Sequence, residues 1–253
     1  MTKIIAFINH KGGVGKTTVC AHLAYSLAHH HQKRVLAIDF DTQANLTEIL
    51  GAIEAPRTIT DVLNGESAAS CVYDANGVSV LASSIELANT EYELTANNTQ
   101  NALLAVLVDF VQQFDYVLID CPPSLGMLTM NAMIASTDVC VVSNAEYLSL
   151  RGMTNIVTVV EQMRLYNTAL ELSGVVISHY DTRKSVNREV LEQLRETFKD
   201  RVITPPVRSA VAVVEASSHG GTVFQIRPNA DVVNDFQALT TSFIKHYEKQ
   251  TRQ

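Results

Sequence analysis

The chain has 253 residues, of which 47% are hydrophobic and 18% are charged, and its formal net charge at pH 7 is −7. This composition is typical of a globular protein, and the acidic balance excludes a protein that coats nucleic acid over its whole surface. The segment after Met1 lacks the character of a signal peptide, and every apolar run falls far short of the roughly 20 residues that span a bilayer. The four widely spaced cysteines, Cys20, Cys71, Cys121 and Cys140, indicate neither a disulfide framework nor a zinc site, so we expect one cytoplasmic domain over residues 1–253.

Five short apolar runs, rich in β-branched residues, indicate strands that are buried on both faces, because they lack polar alternation. Stretches with the helical spacing of apolar residues lie between them, as at Leu23 and Leu27 or at Leu103 and Leu107. Parallel strands need crossover connections, so this alternation predicts an α/β domain with a mostly parallel twisted sheet and helices on both faces. The five runs are Ile4–Ile8, Val35–Ile38, Val117–Ile119, Val139–Val142 and Val175–Ile177.

Polar residues follow these runs directly. Asn9–Lys16 come after the first run, Asp39 and Asp41 after the second, Asp120 after the third and Ser178 after the fifth. In open α/β sheets, ligands bind at the carboxyl ends of the strands. We therefore expect these residues to share one site.

The first of these polar segments has the features of a phosphate-binding loop. Residues 11–18 read Lys-Gly-Gly-Val-Gly-Lys-Thr-Thr, directly after a predicted strand and before an amphipathic helix from about Lys16 to His30. The plain pattern G-x-x-x-x-G-K-[ST] has glycine where this chain has His10. Backbone N–H groups of such a loop close around phosphate oxygens, while Lys16 is expected to contact the β- and γ-phosphates and the Thr17 hydroxyl to bind Mg²⁺. The predicted nucleotide contacts in the loop are Lys11, Gly12, Gly13, Val14, Gly15, Lys16, Thr17 and Thr18.

The doubled lysine of this loop resembles the deviant Walker A motif of the ParA/MinD superfamily. The resemblance covers the chain from Lys3 to about Tyr247, and it implies an ATPase that uses ATP and Mg²⁺ and forms an ATP-dependent homodimer. It also implies a catalytic role for Lys11, which reaches across the dimer to the ATP of the partner and stabilises the transition state of phosphoryl transfer. The residues alone leave open a second phosphate contact within the same subunit.

Two acidic segments extend the resemblance. Residues 39–47 read Asp-Phe-Asp-Thr-Gln-Ala-Asn-Leu-Thr and are similar to the family segment D-x-D-P-Q-x-N-x-T, with Thr42 in place of proline. By that match Asp41 is the catalytic residue that orients or activates the attacking water, and Asp39 is a supporting carboxylate near Mg²⁺. Capping of the following helix is the alternative role for both acids. Residues 114–126 resemble a Walker B strand, which implies that Asp120 binds Mg²⁺ through a water molecule.

The resemblance also favours adenine as the base of the nucleotide. The chain lacks the guanine-reading sequence N-K-x-D of small GTPases. In the family, the base packs near the end of a late strand and a later proline turn, which correspond loosely to Ser178 and Pro206 in this chain.

A basic segment late in the chain is the candidate DNA-binding site. Residues 183–253 carry 11 Lys and Arg residues against 8 Asp and Glu residues. Residues 181–184, Asp-Thr-Arg-Lys, resemble the D-x-R-T segment of ParA-type partition ATPases, in which the arginine contacts DNA without reading its sequence. This implies a DNA contact at Arg183, extended by Lys184 and Arg188, while a solvated loop and first helical turn remain the alternative. A second arginine of the family pattern is replaced by Ala212, and Arg208 lies close enough in the sequence to substitute for it.

The leading interpretation is a ParA-type partition ATPase that holds non-specific double-stranded DNA of the nucleoid as an ATP-bound dimer. The resemblance implies that a ParB-like or cargo adaptor protein stimulates hydrolysis, with a plasmid, a chromosome region or a protein assembly as cargo. A MinD-like ATPase that lies on a membrane through its C-terminal helix is an alternative, although the modest charge of residues 236–252 argues against stable membrane association. A third alternative is a metabolic or electron-transfer relative such as an iron–sulfur reductase component, which the cysteine spacing does not favour.

Overall fold

A computed structural model describes residues 2–250, so Met1 and residues 251–253, with the last residues of the predicted C-terminal helix, lie outside the described part. The strands are β1 Lys3–Ile8, β2 Val35–Asp39, β3 Tyr73–Ala75, β4 Val78–Leu81, β5 Tyr116–Asp120, β6 Asp138–Asn144, β7 Glu171–Ser178 and β8 Val202–Ile203. They form one sheet in the order β3-β4-β2-β5-β1-β6-β7-β8. All neighbours pair in parallel except β3 and β4, which form an antiparallel hairpin at one edge. The predicted α/β fold with a mostly parallel sheet is confirmed, and the five predicted runs form β1, β2, β5, β6 and β7.

Helices lie between the strands along the chain. They are α1 Lys16–His31, α2 Asn45–Leu50, α3 Ile59–Leu63, α4 Ala68–Cys71, α5 Leu87–Ala96, α6 Ala102–Leu107, α7 Met127–Ala135, α8 Tyr147–Met163, α9 Ser185–Phe198, α10 Val211–Ser218, α11 Val223–Ile226 and α12 Asp231–Gln250. Two short 3₁₀ helices cover residues 111–113 and 199–201. Among the described residues, no helix combines the length and the apolar character needed to cross a bilayer.

The core consists of two hydrophobic clusters, one on each face of the sheet. Successive side chains of a strand point to opposite faces, so Ile5 and Phe7 of β1 join one cluster while Ala6 and Ile8 join the other. Helices α1, α2 and α10–α12 cover the first face, and α3–α9 cover the second. Burial on both faces explains why the central strands read as continuous apolar runs.

The C-terminal helix α12 packs on the sheet. Phe236, Leu239, Phe243 and Tyr247, spaced three or four residues apart, are fully buried. The Phe243 ring stacks on Phe7 of β1 at a centroid distance of 6.3 Å. This helix is therefore part of the core.

A buried histidine fastens the helix that follows the phosphate loop to the C-terminal helices. The Nδ1 atom of His22 lies 2.7 Å from the carbonyl oxygen of Thr18, and the backbone N–H of Val223 donates to its Nε2 atom at 3.0 Å. The imidazole ring stacks on Phe236 at 4.2 Å. Because Nε2 accepts a hydrogen bond, the ring is neutral with its proton on Nδ1, and burial lowers the pKa of His22 to about 4.

Candidate functional site

Residues 9–15 connect the end of β1 to the start of α1, and the phosphate loop predicted at residues 11–18 runs from this connection into the first turn of α1. Asn9 anchors the loop to the sheet, because its Nδ2 atom donates to the carbonyl oxygen of Val142 at 2.8 Å. Its Oδ1 atom accepts the backbone N–H of Lys11 at 3.0 Å. The loop therefore leaves β1 in a defined direction, at the carboxyl edge of the parallel strands.

Two glycines of the loop have backbone conformations that other residues rarely adopt. Gly13 and Gly15 have φ angles of 70° and 81°. A Cβ atom on Gly15 would also lie only 3.2 Å from the Nε2 atom of His179. The loop is thus built for close approach, with the first N–H groups of α1 directed at the space above it.

A cleft of about 410 Å³ lies over this loop. It is lined by Gly12, Gly13, Gly15, Lys16, Thr17, Thr18, Asp41, Gln43, Asn45, Glu48, Ile49, Pro123, His179 and Ser217. The structure thus brings most of the predicted loop residues together with Asp41.

Four predicted nucleotide contacts do not line this cleft: Lys11 and the buried Val14 within the loop, and Ser178 and Pro206 outside it. The Ser178 side chain is buried behind the loop, and its hydroxyl donates to the carbonyl oxygen of Val14. Pro206 lines a neighbouring depression instead. Ser178 therefore supports the loop from below, and its predicted contact with the base stays a prediction, as does that of Pro206.

Asp39 and Asp120 are paired in register on the adjacent strands β2 and β5, which places two carboxylates side by side in the buried centre of the site. Asp39 is held by protein donors, since the N–H and hydroxyl of Thr47 donate to its Oδ2 atom at 2.8 and 2.7 Å. Burial raises the pKa of Asp39 to about 6 against the effect of these hydrogen bonds. Its predicted role near Mg²⁺ has to be indirect while these donors occupy Oδ2.

Asp120 differs from Asp39 in that neither of its carboxylate oxygens has a hydrogen-bond partner of regular geometry within the described part of the chain. Burial, followed by the charge of Asp39, raises its pKa well above the usual range, while the nearby Thr17 hydroxyl and Lys16 ammonium act in the opposite direction. Burial also lowers the pKa of Lys16, opposed first by the charge of Asp120. A buried carboxylate left without donors is costly, so this position is suited to a cation or to its bound water.

Asp41 lines the cleft opposite the loop and is mostly buried. Its Oδ1 atom accepts the backbone N–H of Gln43 at 3.0 Å, while its carbonyl oxygen accepts the Ser83 hydroxyl at 2.8 Å. The carboxylate is thus fixed in position by its own turn. Both the local turn and the predicted role in orienting water are compatible with this arrangement.

Lys11, unlike Lys16, points to the surface. Its Nζ atom forms an ion pair with Oε2 of Glu146 at 2.7 Å, and the two side chains are 42% and 56% exposed. The hydrogen bond from Lys11 holds the pKa of Glu146 below its usual range. Lys11 is therefore held beside the loop by a residue at the N-terminus of α8.

The predicted DNA-binding residues lie together along a second depression of about 1110 Å³, which also contains Glu146 and His179. We call this surface the basic depression, defined by Arg183, Lys184, Arg188, Arg195 and Arg208. Arg183 is 87% exposed and forms a bidentate ion pair with Asp181, which lowers the pKa of Asp181 to about 2.

The cations of the basic depression differ in how they are paired. Arg208 is held by Asp235 at 2.6 Å and by Asp231 at 3.4 Å, so it is not free to replace the arginine missing at position 212 without breaking these pairs. Among the side chains that the structure describes, none forms an ion pair with Lys184 or Arg188. These two side chains are exposed and available to an anion.

Two residues that face the cleft or the loop were not predicted from the sequence. Glu146 belongs to no recognised motif, although it lies two residues after β6 and four residues after the predicted strand Val139–Val142. His179 has a φ angle of 51°, and it lines both the cleft and the basic depression. Its position directly after β7 was the available signal.

The chain is similar to known proteins over most of its length. The profile of a family described as an AAA domain matches residues 2–172. The chain is 35% identical to the sporulation initiation inhibitor protein Soj of Bacillus subtilis (strain 168), over 91% of this chain and 93% of that protein. It is 36% identical to the chromosome partitioning protein ParA of Caulobacter vibrioides, over 87% of this chain and 86% of that protein.

A solved structure with the same fold carries a nucleotide. Cobyrinic acid a,c-diamide synthase from Mycobacterium smegmatis, with bound ATP analogue and magnesium, superposes with a TM-score of 0.84 at 28% sequence identity. The match covers 98% of this chain and 96% of that one.

Proposed function

This chain belongs to the Soj/ParA family of partitioning ATPases, and from that membership and its site we propose that it binds and hydrolyses Mg-ATP to control a DNA-bound dimer. The observation that carries the proposal is the convergence of Lys16, Thr17 and Asp120 beneath a glycine loop at the start of α1. A triphosphate in the cleft would meet loop N–H groups, the end of the helix dipole and a buried ammonium group. These are the groups that stabilise charge on a transferring phosphoryl group.

The donor set at Asp120 fits Mg²⁺. A magnesium ion retains several water ligands and is held by one or two carboxylates together with phosphate oxygens. Asp120 offers unpaired oxygens, and the Thr17 hydroxyl lies beside it. Bound there, Mg²⁺ supplies charge neutralisation at the phosphates. Asp41 would orient the attacking water across the cleft, with Asp39 as the supporting acid.

Lys11 is the residue that makes dimerisation part of the proposal. It extends from the edge of the loop rather than into the cleft of its own subunit, where Lys16 is already buried. In a dimer whose subunits face each other across their clefts, this ammonium would meet the phosphates of the partner. Each site would then hold one lysine from each subunit, and hydrolysis would release the dimer.

The basic depression supports the second half of the proposal. Three of its exposed cations, Arg183, Lys184 and Arg188, were predicted as DNA contacts, and two of them have no carboxylate partner in the described chain. Such a surface binds phosphates without reading bases, with an affinity that falls steeply as salt rises. Glu146 lines the basic depression and also pairs with Lys11. The proposed DNA-binding surface is therefore adjacent to the lysine that would contact the nucleotide of the partner. We infer nucleoid association from this, with release stimulated by a ParB-like or cargo adaptor protein.

A DNA-binding assay tests the proposal. Fluorescence anisotropy of labelled non-specific duplex DNA is measured with ATP, with ADP and without nucleotide, for the wild type and for Lys11→Ala and Arg183→Ala. We expect binding only with ATP, and its loss in both variants. Arg34→Ala is a matched control. Arg34 lies just before β2, is 64% exposed and pairs with Asp115.

Two results would oppose the proposal. DNA binding without nucleotide, or none under any condition, would remove the DNA function and leave the ATPase function to be measured by phosphate release. Sedimentation with anionic liposomes serves as a parallel arm, in which ATP-dependent membrane binding would favour the MinD-like alternative.

A further inference from the structure

Glu91, on the exposed helix α5, contacts the segment that leads out of the site. Its Oε1 atom lies 3.4 Å from the position that a Cβ atom on Gly126 would occupy. Burial and then the charge of Asp41 raise the pKa of Glu91, while the nearby backbone N–H of Leu128 lowers it. The Glu91 side chain is half-buried.

The helix that Glu91 contacts has no capping group of its own. Helix α7 begins after Gly126, which has no side chain to cap the helix, and the first turn of α7 contains no acidic residue. The unpaired N–H groups and the positive dipole end of a helix N-terminus favour a carboxylate there. Glu91 supplies that carboxylate from another element.

The start of α7 is the far end of the segment that follows Asp120. Residues 121–126 join the end of β5 to α7, and Pro123 within them lines the cleft. A Cβ atom on Gly12 of the phosphate loop would lie 3.8 Å from the Cβ atom of Pro123. A shift of the α7 N-terminus would therefore reach the phosphate loop through Pro123.

The inner side of this segment is held by short-range contacts. The Thr129 hydroxyl donates to the carbonyl oxygen of Ser124 at 2.7 Å, and the Gly126 N–H donates to the Ser124 hydroxyl at 3.4 Å. These bonds fix the shape of the turn and connect it to α7. At the other end of the segment the Cys121 N–H donates to the carbonyl oxygen of Phe7 at 3.3 Å, and Glu91 adds a contact with α5.

We propose that Glu91 is a positioning residue for ATP hydrolysis, which tethers the N-terminus of α7 and thereby sets where Pro123 stands over the phosphate loop. This inference rests on the proposed function, since it concerns the turnover of the same site. Glu91 is not among the residues that line the cleft. Its loss acts on kcat through the segment, while the loop residues that bind phosphate stay in place.

Glu91→Gln tests the tether, because the amide keeps the size of the side chain and removes its charge. We expect kcat for ATP to fall about tenfold, which corresponds to the loss of one charge-assisted hydrogen bond, and KM to stay within about twofold. Amide hydrogen exchange in residues 126–130 of the nucleotide-free protein should become faster. Glu93→Gln, an exposed carboxylate on the same helix, is the matched control and should equal the wild type.

The two measurements separate this inference from the function on which it rests. If the wild type hydrolyses no ATP, the proposed function fails, and hydrogen exchange alone then decides on the tether. Unchanged exchange in Glu91→Gln overturns the inference, whatever the activity. A rise in KM without a fall in kcat overturns it as well, because Glu91 would then act on nucleotide binding.

Discussion

Replacing Glu146 with glutamine should strengthen nucleotide-dependent dimerisation, because Glu146 holds Lys11 within its own subunit. The Nζ atom of Lys11 lies 2.7 Å from Oε2 of Glu146. In the proposed dimer, Lys11 has to leave this carboxylate before it reaches the nucleotide of the partner. Glutamine keeps the size of the side chain but removes the charge that holds the ammonium group.

The size of the effect follows from the exposure of the pair. With side chains 42% and 56% exposed, the pair is strongly screened by solvent. Such a pair contributes about 0.2–1 kcal/mol, and a symmetric dimer releases two of them, or about 0.4–2 kcal/mol. The dimer dissociation constant should therefore fall about two- to thirtyfold.

Sedimentation velocity over a concentration series, with a non-hydrolysed ATP analogue, measures this constant. Glu248→Gln is the matched control, because Glu248 forms a similarly exposed pair with Lys33 at 2.9 Å, away from the cleft. We expect the control to dimerise like the wild type. A Glu146→Gln dimer no tighter than the control dimer would refute the idea that Glu146 restrains Lys11.

Three further predictions concern stability. Because the pKa of His22 is about 4 in the folded chain against 6.5 for an ordinary histidine, the unfolded state gains the proton first. As the pH falls from 6.5 to 4, the free energy of unfolding of the wild type should therefore decrease by about 3 kcal/mol more than that of His22→Gln. Denaturant titration measures both pH profiles, and parallel profiles would contradict this prediction. Ser178→Ala leaves the Val14 carbonyl without its donor and should cost about 1–2 kcal/mol and raise KM for ATP; unchanged values would show that the contact is dispensable. Asp120→Asn should stabilise the free protein by about 1–3 kcal/mol and abolish the rise in Tm with Mg-ATP; a retained rise would exclude Asp120 from the metal site.

The central strands were predictable because burial on both faces leaves a clear signal in the sequence. The edge strand β3 and its neighbour β4 were missed, although the Asn76-Gly77 turn between them has the positive φ angles, 54° and 83°, that an Asn-Gly hairpin adopts. Strand β8 has only two residues and leaves almost no pattern. Short edge strands depend on their neighbours more than on their own composition.

The predictable parts of the site each lie within a short local segment of the sequence. The loop at residues 11–18 and the acids at the ends of β2 and β5 follow from local motifs and from the common edge of parallel strands. The pairing of Lys11 with Glu146 joins residues 135 positions apart, and the Ser178 hydroxyl reaches a carbonyl 164 positions away. Such contacts depend on how β6 and β7 pack beside β1, which no local pattern encodes.

Mixing two inactive variants tests most directly whether Lys11 completes the site of the other subunit. Lys11→Ala keeps the buried Lys16 but lacks the second lysine, whereas Lys16→Ala keeps Lys11 and loses the buried phosphate contact. A mixed dimer would contain one site with both lysines, so phosphate release should appear on mixing, towards half the wild-type rate per mixed dimer. Two variants that remain inactive in every ratio, although they form mixed dimers, would contradict a lysine acting across the dimer.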